Sequence, residues 1–404
     1  MANKIGPEKP TYESLGVSAA KDDVHNALAL IDPGLFPGAF CKAVPDVFDG
    51  SDEHCVVLHA DGAGTKAALA YIEYRRTGRA DVFEGIAIDS AVMNLDDLLC
   101  VGATGPFVLS NTIGRNAKLV GGDAIAAIIR GYARFAEAMS PFGVEILPCG
   151  GETADVGDLV RTIVVDSSMA ARLLRRDFIN CRHVKAGHVI VGLASFGQAT
   201  YERSYNSGIG ANGFTAIRHE VLASSYKTSS PETFAPDIDA FAYRGTYQLD
   251  DPLPGTTIRL ADALLAPTRT YAPIVRVVLS RFRPHISAMF HNTGGGQTKC
   301  LRFGAGVRYE KDNLFDLPPI FRFLRDEIGM PTREMVRVFN LGHRFEIVCD
   351  PSVANEIIDV AAQFNVEGRI VGRVTAQDRG PILVIEVDGE TVEFASADGD
   401  KASR

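Results

Sequence analysis

The chain has 404 residues, more than the roughly 250–300 at which one hydrophobic core stops growing, so two domains are expected. A hydrophobic share of 46% is ordinary for a globular protein, and the formal net charge of −9 argues against general nucleic-acid binding. No apolar run approaches the ~20 residues that cross a bilayer, residues 1–10 carry no signal-type stretch, and the seven cysteines form no Cys-x-x-Cys pair; the expectation is a cytoplasmic protein without membrane partner, disulfide framework or zinc ribbon.

Residues 1–20 read as polar and mobile, 22–28 as the start of a short helix with an acidic first turn, and 33–50 as loop. Cys55-Val56-Val57-Leu58 predicts a strand and Ala67-Ala68-Leu69-Ala70 a helix, with His59-Ala60-Asp61-Gly62-Ala63-Gly64-Thr65-Lys66 between them. Gly62 and Gly64 let the backbone turn its N–H groups toward an anion. Asp61 would repel a phosphate directly but can hold one through Mg²⁺, while Lys66 and the Thr65 hydroxyl add a charge and a polar contact. A plain surface turn is the alternative, and the spacing is not that of a Walker loop. Residues 85–99 read as one long helix on which Asp89 and Asp97, eight apart, fall roughly on one face. That face is either solvated or holds a metal bound to nucleotide phosphates. Residues 123–139 form a helix whose inward face is Ile125, Ile128, Ile129, Tyr132, Phe135, Ala136 and Met139. A strand over 144–147 runs into Cys149-Gly150-Gly151-Glu152-Thr153-Ala154-Asp155, a second glycine turn followed by a carboxylate, and 162–166 is another strand.

The apolar pattern breaks over 172–187, which suggests an N-terminal domain of 1–183 and a C-terminal domain of 184–404. A buried strand over 188–194 ends at Ser195-Phe196-Gly197, and a loop continues to Asn212-Gly213. Cys181 and His183 are a weak metal pair without further ligands. Residues 223–257 have the composition of a long surface insertion. An amphipathic helix after Tyr271 presents Ile274, Val275, Val278, Leu279 and Phe282, and a strand over 286–290 leads to His291-Asn292-Thr293-Gly294-Gly295-Gly296. Asp350-Pro351 caps a helix reaching Phe364, and Asp388-Gly389 is a hairpin turn. Strands and helices mix without a strict βα repeat, so the fold class is α+β rather than Rossmann.

Asp61-Gly62-Ala63-Gly64-Thr65-Lys66, Asp89 with Asp96-Asp97-Leu98-Leu99, Gly150-Gly151-Glu152-Thr153, Leu265-Ala266-Pro267-Thr268-Arg269 with Tyr271, Thr293-Gly294-Gly295-Gly296 and Phe339-Asn340 with Gly342 occur in one order. Together they resemble the phosphoribosylformylglycinamidine cyclo-ligase (aminoimidazole ribonucleotide synthetase) family, over about residues 12–375. The resemblance implies a two-domain ATP-binding fold, a homodimer paired through N-terminal sheets, ATP with Mg²⁺, and a small ribonucleotide substrate whose imidazole ring is closed. It implies Asp61, Lys66, Asp97 and Glu152 as catalytic, with Asp61, Asp97 and Glu152 on the metal. Gly62, Gly64, Thr65, Asp89, Gly150, Gly151 and Thr153 would serve the nucleotide. Ser195, Asn212, Thr268, Arg269, Gly294 and Gly295 would line the substrate side, where Arg203, from the departure described next, is also expected.

Two departures stand out. Typical members have Ser-Gly-Pro-His-Ser-Asn-Gly after the second-domain strand, whereas here an insertion with Tyr201, Glu202 and Tyr205 separates Ser195 from Asn212 and the His is missing. Arg203, offering a planar fork of donors, and His219 are the candidate replacements. His343-Arg344 also stands where typical members are small or apolar. The rival readings are another enzyme of the superfamily (thiamine-monophosphate kinase, selenophosphate synthetase or formylglycinamidine synthase) and a non-catalytic nucleotide-binding paralogue.

Overall fold

The computed structural model describes residues 31–395, so the helix read at 22–28 lies outside the described residues. The first half builds a six-stranded sheet from β1 (Ala43–Pro45), β2 (His54–Gly62), β3 (Phe107–Arg115), β4 (Ile146–Pro148), β5 (Glu152–Asp155) and β6 (Ile163–Leu174), in the order β1-β2-β6-β3-β4 with β5 also beside β3. Helices α1 (Lys66–Thr77), α2 (Val82–Cys100) and α3 (Gly122–Met139) belong to the same half. The period of two explains the layering. Val165, Met169 and Ala171 of β6 face the core, while Leu58, Val108 and Leu147 stand exposed on the other face.

Helix α2 is the axis of this half. Every residue from Asp89 to Cys100 is buried, so the solvated-face alternative for its carboxylates does not hold. Gly131 of α3 lets the two helices touch, because a Cβ there would lie 2.7 Å from the Glu84 carbonyl oxygen. The inward face read for α3 is right except at Ile129, which is 54% exposed. Two strand readings change. Glu152–Asp155 does not stay in a glycine turn but pairs in parallel with β3, and β6 runs on through residues 167–174 as the antiparallel partner of both β2 and β3.

The second half builds a seven-stranded sheet from β7 (Val189–Ala194), β8 (Ile286–His291), β9 (Val307–Lys311), β10 (His343–Cys349), β11 (Gly368–Ala376), β12 (Ile382–Val387) and β13 (Glu390–Ala395). Strand β10, between β7 and the edge strand β8, is wholly buried, and the β12–β13 hairpin turns through Asp388 and Gly389, both at positive φ. Helix α4 (Phe214–Val221) follows the long loop, and α5 (Ala272–Phe282) buries Ile274, Val275, Val278 and Leu279 as its spacing predicts. Residues 223–257 are not a surface insertion. They pack Tyr226, Phe234, Tyr243, Leu249 and Leu253 into the second core, because their sparse apolar residues are large enough to anchor short helical turns.

Candidate active site

The strand β2 ends at Gly62, and α1 begins at Lys66, so the turn between them is forced through Gly64 at φ +54°. Nothing crowds Gly64, so its role is conformational. Gly62 is different: the Asp166 carboxylate packs directly over it, where a Cβ would stand. The Thr65 hydroxyl reaches the second half, 3.0 Å from the Thr215 hydroxyl at the start of α4. Asn212 and Gly213 immediately precede that helix start, so the glycine turn and the end of the long loop meet.

Asp61 and Asp97 flank this turn from β2 and α2. Asp61 is partly open to solvent and accepts from its neighbour's N–H, Gly62 N to Oδ1 at 2.7 Å. Crowding by protein raises its pKa against that bond, and the Asp97 charge adds to the rise. Asp97 is buried, and burial pushes its pKa up, but the bond from His291 and the charges of His291 and His59 outweigh this and hold it below the ordinary value. Its Oδ1 lies 2.7 Å from His291 Nδ1 and its Oδ2 3.2 Å from His59 Nε2. His291 ends β8, and the Gly294–Gly295 turn follows it, so that turn borders the same cluster. Gly294 is exposed, and Gly295 takes φ +95°.

Other expected site residues are committed elsewhere. Lys66 is wholly buried, its ammonium donating to Asp89 Oδ1 (3.0 Å) and to the carbonyls of Gly210 (2.9 Å) and Ala266 (2.6 Å). An ammonium has three protons, and all three are used, so Lys66 does not face a phosphate. Asp89 also accepts from Thr268 N (2.8 Å) and Thr268 Oγ1 (2.5 Å), so the Thr268 hydroxyl proton is engaged, although Thr268 and Arg269 both border the cleft described below. Arg269 forks onto Glu202 (3.0 and 2.5 Å) and donates to the carbonyls of Ala194 and Phe196, so four of its five N–H groups are engaged within the protein. Ser195 is buried and donates to Asn340 Oδ1 at 2.8 Å. Glu152 is exposed and apart. In the row Gly62–Asp166–Thr112–Glu152 it lies three strands from β2, about 14 Å away, with Gly150, Gly151 and Thr153 beside it.

A cleft of about 650 Å³ lies between α2, α3 and the 201–207 and 258–270 segments. Arg203 and Tyr205 line it together with Ile88, Phe135 and Pro267, while Asp61, Gly64, Asp97 and Glu152 do not. Arg203 is exposed and makes no ion pair or hydrogen bond to a described residue. His219, the other candidate for the missing His, is enclosed instead: burial first, then Arg218, pulls its pKa down to about 3, and its Nδ1 accepts from Tyr243 N. Of the His343-Arg344 pair, His343 binds Glu346 (2.9 Å), and Arg344 is buried over the Tyr271 ring with its Nη2 donating to the Arg269 carbonyl. No sequence pattern pointed to His59, Cys41 or Asp166 as neighbours of the acidic cluster.

Family models match both halves: AIR synthase related protein, N-terminal domain, over residues 42–172, and AIR synthase related protein, C-terminal domain, over residues 185–385. The chain is 30% identical over 337 residues to a phosphoribosylformylglycinamidine cyclo-ligase of Staphylococcus carnosus, covering 82% of this chain and 83% of that one. It is 29% identical over 324 residues to one of Methanocaldococcus jannaschii, covering 80% and 79%. Among solved structures it resembles AaThiL complexed with AMPPCP and TMP, with a TM-score of 0.53 at 13% identity over 93% of this chain and 94% of that one. It also resembles T. maritima PurL complexed with ADP, with a TM-score of 0.51 at 14% identity over 93% of this chain; it spans about half of that PurL chain, 48%. These likenesses define a two-domain protein of the AIR synthase related class. The chain belongs to the phosphoribosylformylglycinamidine cyclo-ligase family.

Proposed function

We propose that this chain closes formylglycinamidine ribonucleotide to aminoimidazole ribonucleotide, consuming ATP and releasing ADP and phosphate. Family membership supplies the reaction, and one structural observation carries its placement: the Gly62–Thr65 turn meets the α4 start through Thr65 and Thr215 while Asp61 and Asp97 flank it. The γ-phosphoryl group of ATP passes to the formyl amide oxygen. The amidine nitrogen then attacks the formyl carbon, and the phosphorylated oxygen departs as phosphate. An amide oxygen is a poor leaving group, so the phosphorylation is what makes ring closure feasible. Catalysis of such a transfer is mostly positioning and charge neutralisation.

The residues fit a hard divalent cation near Asp61. Two carboxylates face one region, and the charge of Asp97 raises the pKa of Asp61, a strain that a cation relieves. Bound there, Mg²⁺ would neutralise phosphate oxygens. The chain's own share is the backbone N–H groups of Gly62–Thr65 on the phosphates and the carboxylates that fix the metal. Glu152 lies outside this pair within one chain. The 650 Å³ cleft with Arg203 at its wall is the substrate side, of a size that suits a ribonucleotide.

A homodimer paired through the first sheet goes with this reading. Leu58, Ala170, Val108 and Leu147 stand in one row across β2, β6, β3 and β4, and Leu58, Val108 and Leu147 are 66%, 44% and 45% exposed. An apolar sheet face of this kind is suited to a second copy of itself. A cytoplasmic setting also goes with it: the seven cysteines are all free, and no described helix is long and apolar enough to cross a membrane. The test is ADP release by the purified protein with and without formylglycinamidine ribonucleotide. Release that depends on the ribonucleotide supports the reading, and equal release without it refutes it.

A further inference from the structure

Cys41, His59 and Asp97 come from three separate segments, and one donor atom of each lies within 4.8 Å of the others. Their protonation is constrained by a neighbour. Asn94 Nδ2 donates to the carbonyls of Ser90 (3.0 Å) and Ser167 (3.0 Å) and to the Ser167 hydroxyl (2.9 Å). Turning that amide over would set its oxygen against two carbonyl oxygens, so its orientation is fixed. Asn94 Oδ1 then accepts from His59 Nδ1 at 3.0 Å, which places the imidazole proton on Nδ1. In the neutral ring, Nε2 carries a bare lone pair, and it points at Asp97 Oδ2 at 3.2 Å. The other Asp97 oxygen is already held by His291 Nδ1 at 2.7 Å.

Two lone pairs do not face each other at 3.2 Å without a cation between them. That cation is either a second proton on His59 or a metal ion. The thiol decides the class. Cys41 is buried beside the pair, its Sγ 3.3 Å from the Asp97 carbonyl, and a sulfur donor with an imidazole and a carboxylate is a borderline-soft set that Mg²⁺ does not select. Tetrahedral Zn²⁺ with such ligands sets donor atoms about 3.4–3.6 Å apart, within reach of small side-chain rotations here. The supporting contacts typical of a metal site are in place: His59 through Asn94, Asp97 through His291. His59 keeps a 26% exposed side chain, which gives an ion a route in and leaves a fourth position open.

We propose that Cys41, His59 and Asp97 form a transition-metal site selective for Zn²⁺ over Mg²⁺, next to the nucleotide metal and sharing Asp97 with it. Binding displaces the Cys41 thiol proton to solvent as the sulfur–metal bond forms. The site stands on these donors, and only its adjacency to a nucleotide metal rests on the reaction proposed above.

The probe is Co²⁺, and afterwards Zn²⁺, added to the metal-free full chain and read by absorption. One equivalent should give a thiolate-to-cobalt charge-transfer band with tetrahedral d–d bands. Zn²⁺ should abolish it, and a thousandfold excess of Mg²⁺ should leave it unchanged. Cys41→Ser should remove the charge-transfer band, and His59→Ala should weaken Co²⁺ binding at least tenfold, while circular dichroism stays native for both. No band in the folded wild-type chain, or the same band in Cys41→Ser, overturns the site and leaves His59 as an imidazolium paired with Asp97.

Discussion

Asp61 is the residue on which the chemistry turns, because it is the carboxylate left open beside the glycine turn. Asp61→Asn keeps the shape but not the charge. It should lower the rate of ADP release by about a hundredfold or more, the scale seen when a charge-stabilising group is lost, while the circular dichroism spectrum is retained. Activity equal to wild type would remove Asp61 from the site. Arg203 is the other residue with an open role, since its guanidinium has no partner among the described residues and lines the cleft. Arg203→Ala should raise KM for the ribonucleotide roughly thirtyfold, as loss of about 2 kcal/mol in one charge-assisted contact implies, with KM for ATP unchanged. An equal rise for both substrates would mean collapse of the 201–207 loop instead.

Between elements, the buried Lys66–Asp89 pair is a tie rather than a catalytic group. It joins the start of α1 to the middle of α2, and both to the Ala266 and Thr268 backbone of the second half. Burial works against both charges, lowering the Lys66 pKa and raising that of Asp89, so removing one partner leaves the other stranded. Lys66→Met should therefore destabilise the chain by about 3–5 kcal/mol, read as a lower midpoint in denaturant. Adding Asp89→Leu should recover part of the loss. A Lys66→Met chain of wild-type stability would contradict the tie.

The same elements show what could be read from the chain without its structure. Strand β2, helix α2 and the Asp388–Gly389 hairpin were legible because period and turn chemistry are local signals. The acidic cluster was legible as residue types in a familiar order. The partners were not: Lys66 finds Asp89 and Gly210, and Arg269 finds Glu202, through contacts between residues far apart in the sequence, the one to Gly210 joining the two halves. Residues 223–257 misled for a related reason, since a polar composition hid a few large side chains that anchor the whole segment. His59 and Cys41 carried no spacing signal, because their donor atoms meet across β2, α2 and a loop.

For the whole molecule, the open face of the first sheet predicts association. Sedimentation at micromolar concentration should give a dimer, and Leu58→Lys with Val108→Lys should give a folded monomer, because two charges would replace two large exposed members of the apolar row. A wild-type monomer would leave that face without the proposed partner. The reaction itself is tested most directly by isotope transfer. Formylglycinamidine ribonucleotide labelled with ¹⁸O in its formyl oxygen should be turned over with ATP, and the released inorganic phosphate examined by mass spectrometry. Phosphorylation of that oxygen followed by ring closure predicts one ¹⁸O in each phosphate released. Unlabelled phosphate formed alongside ADP would contradict it.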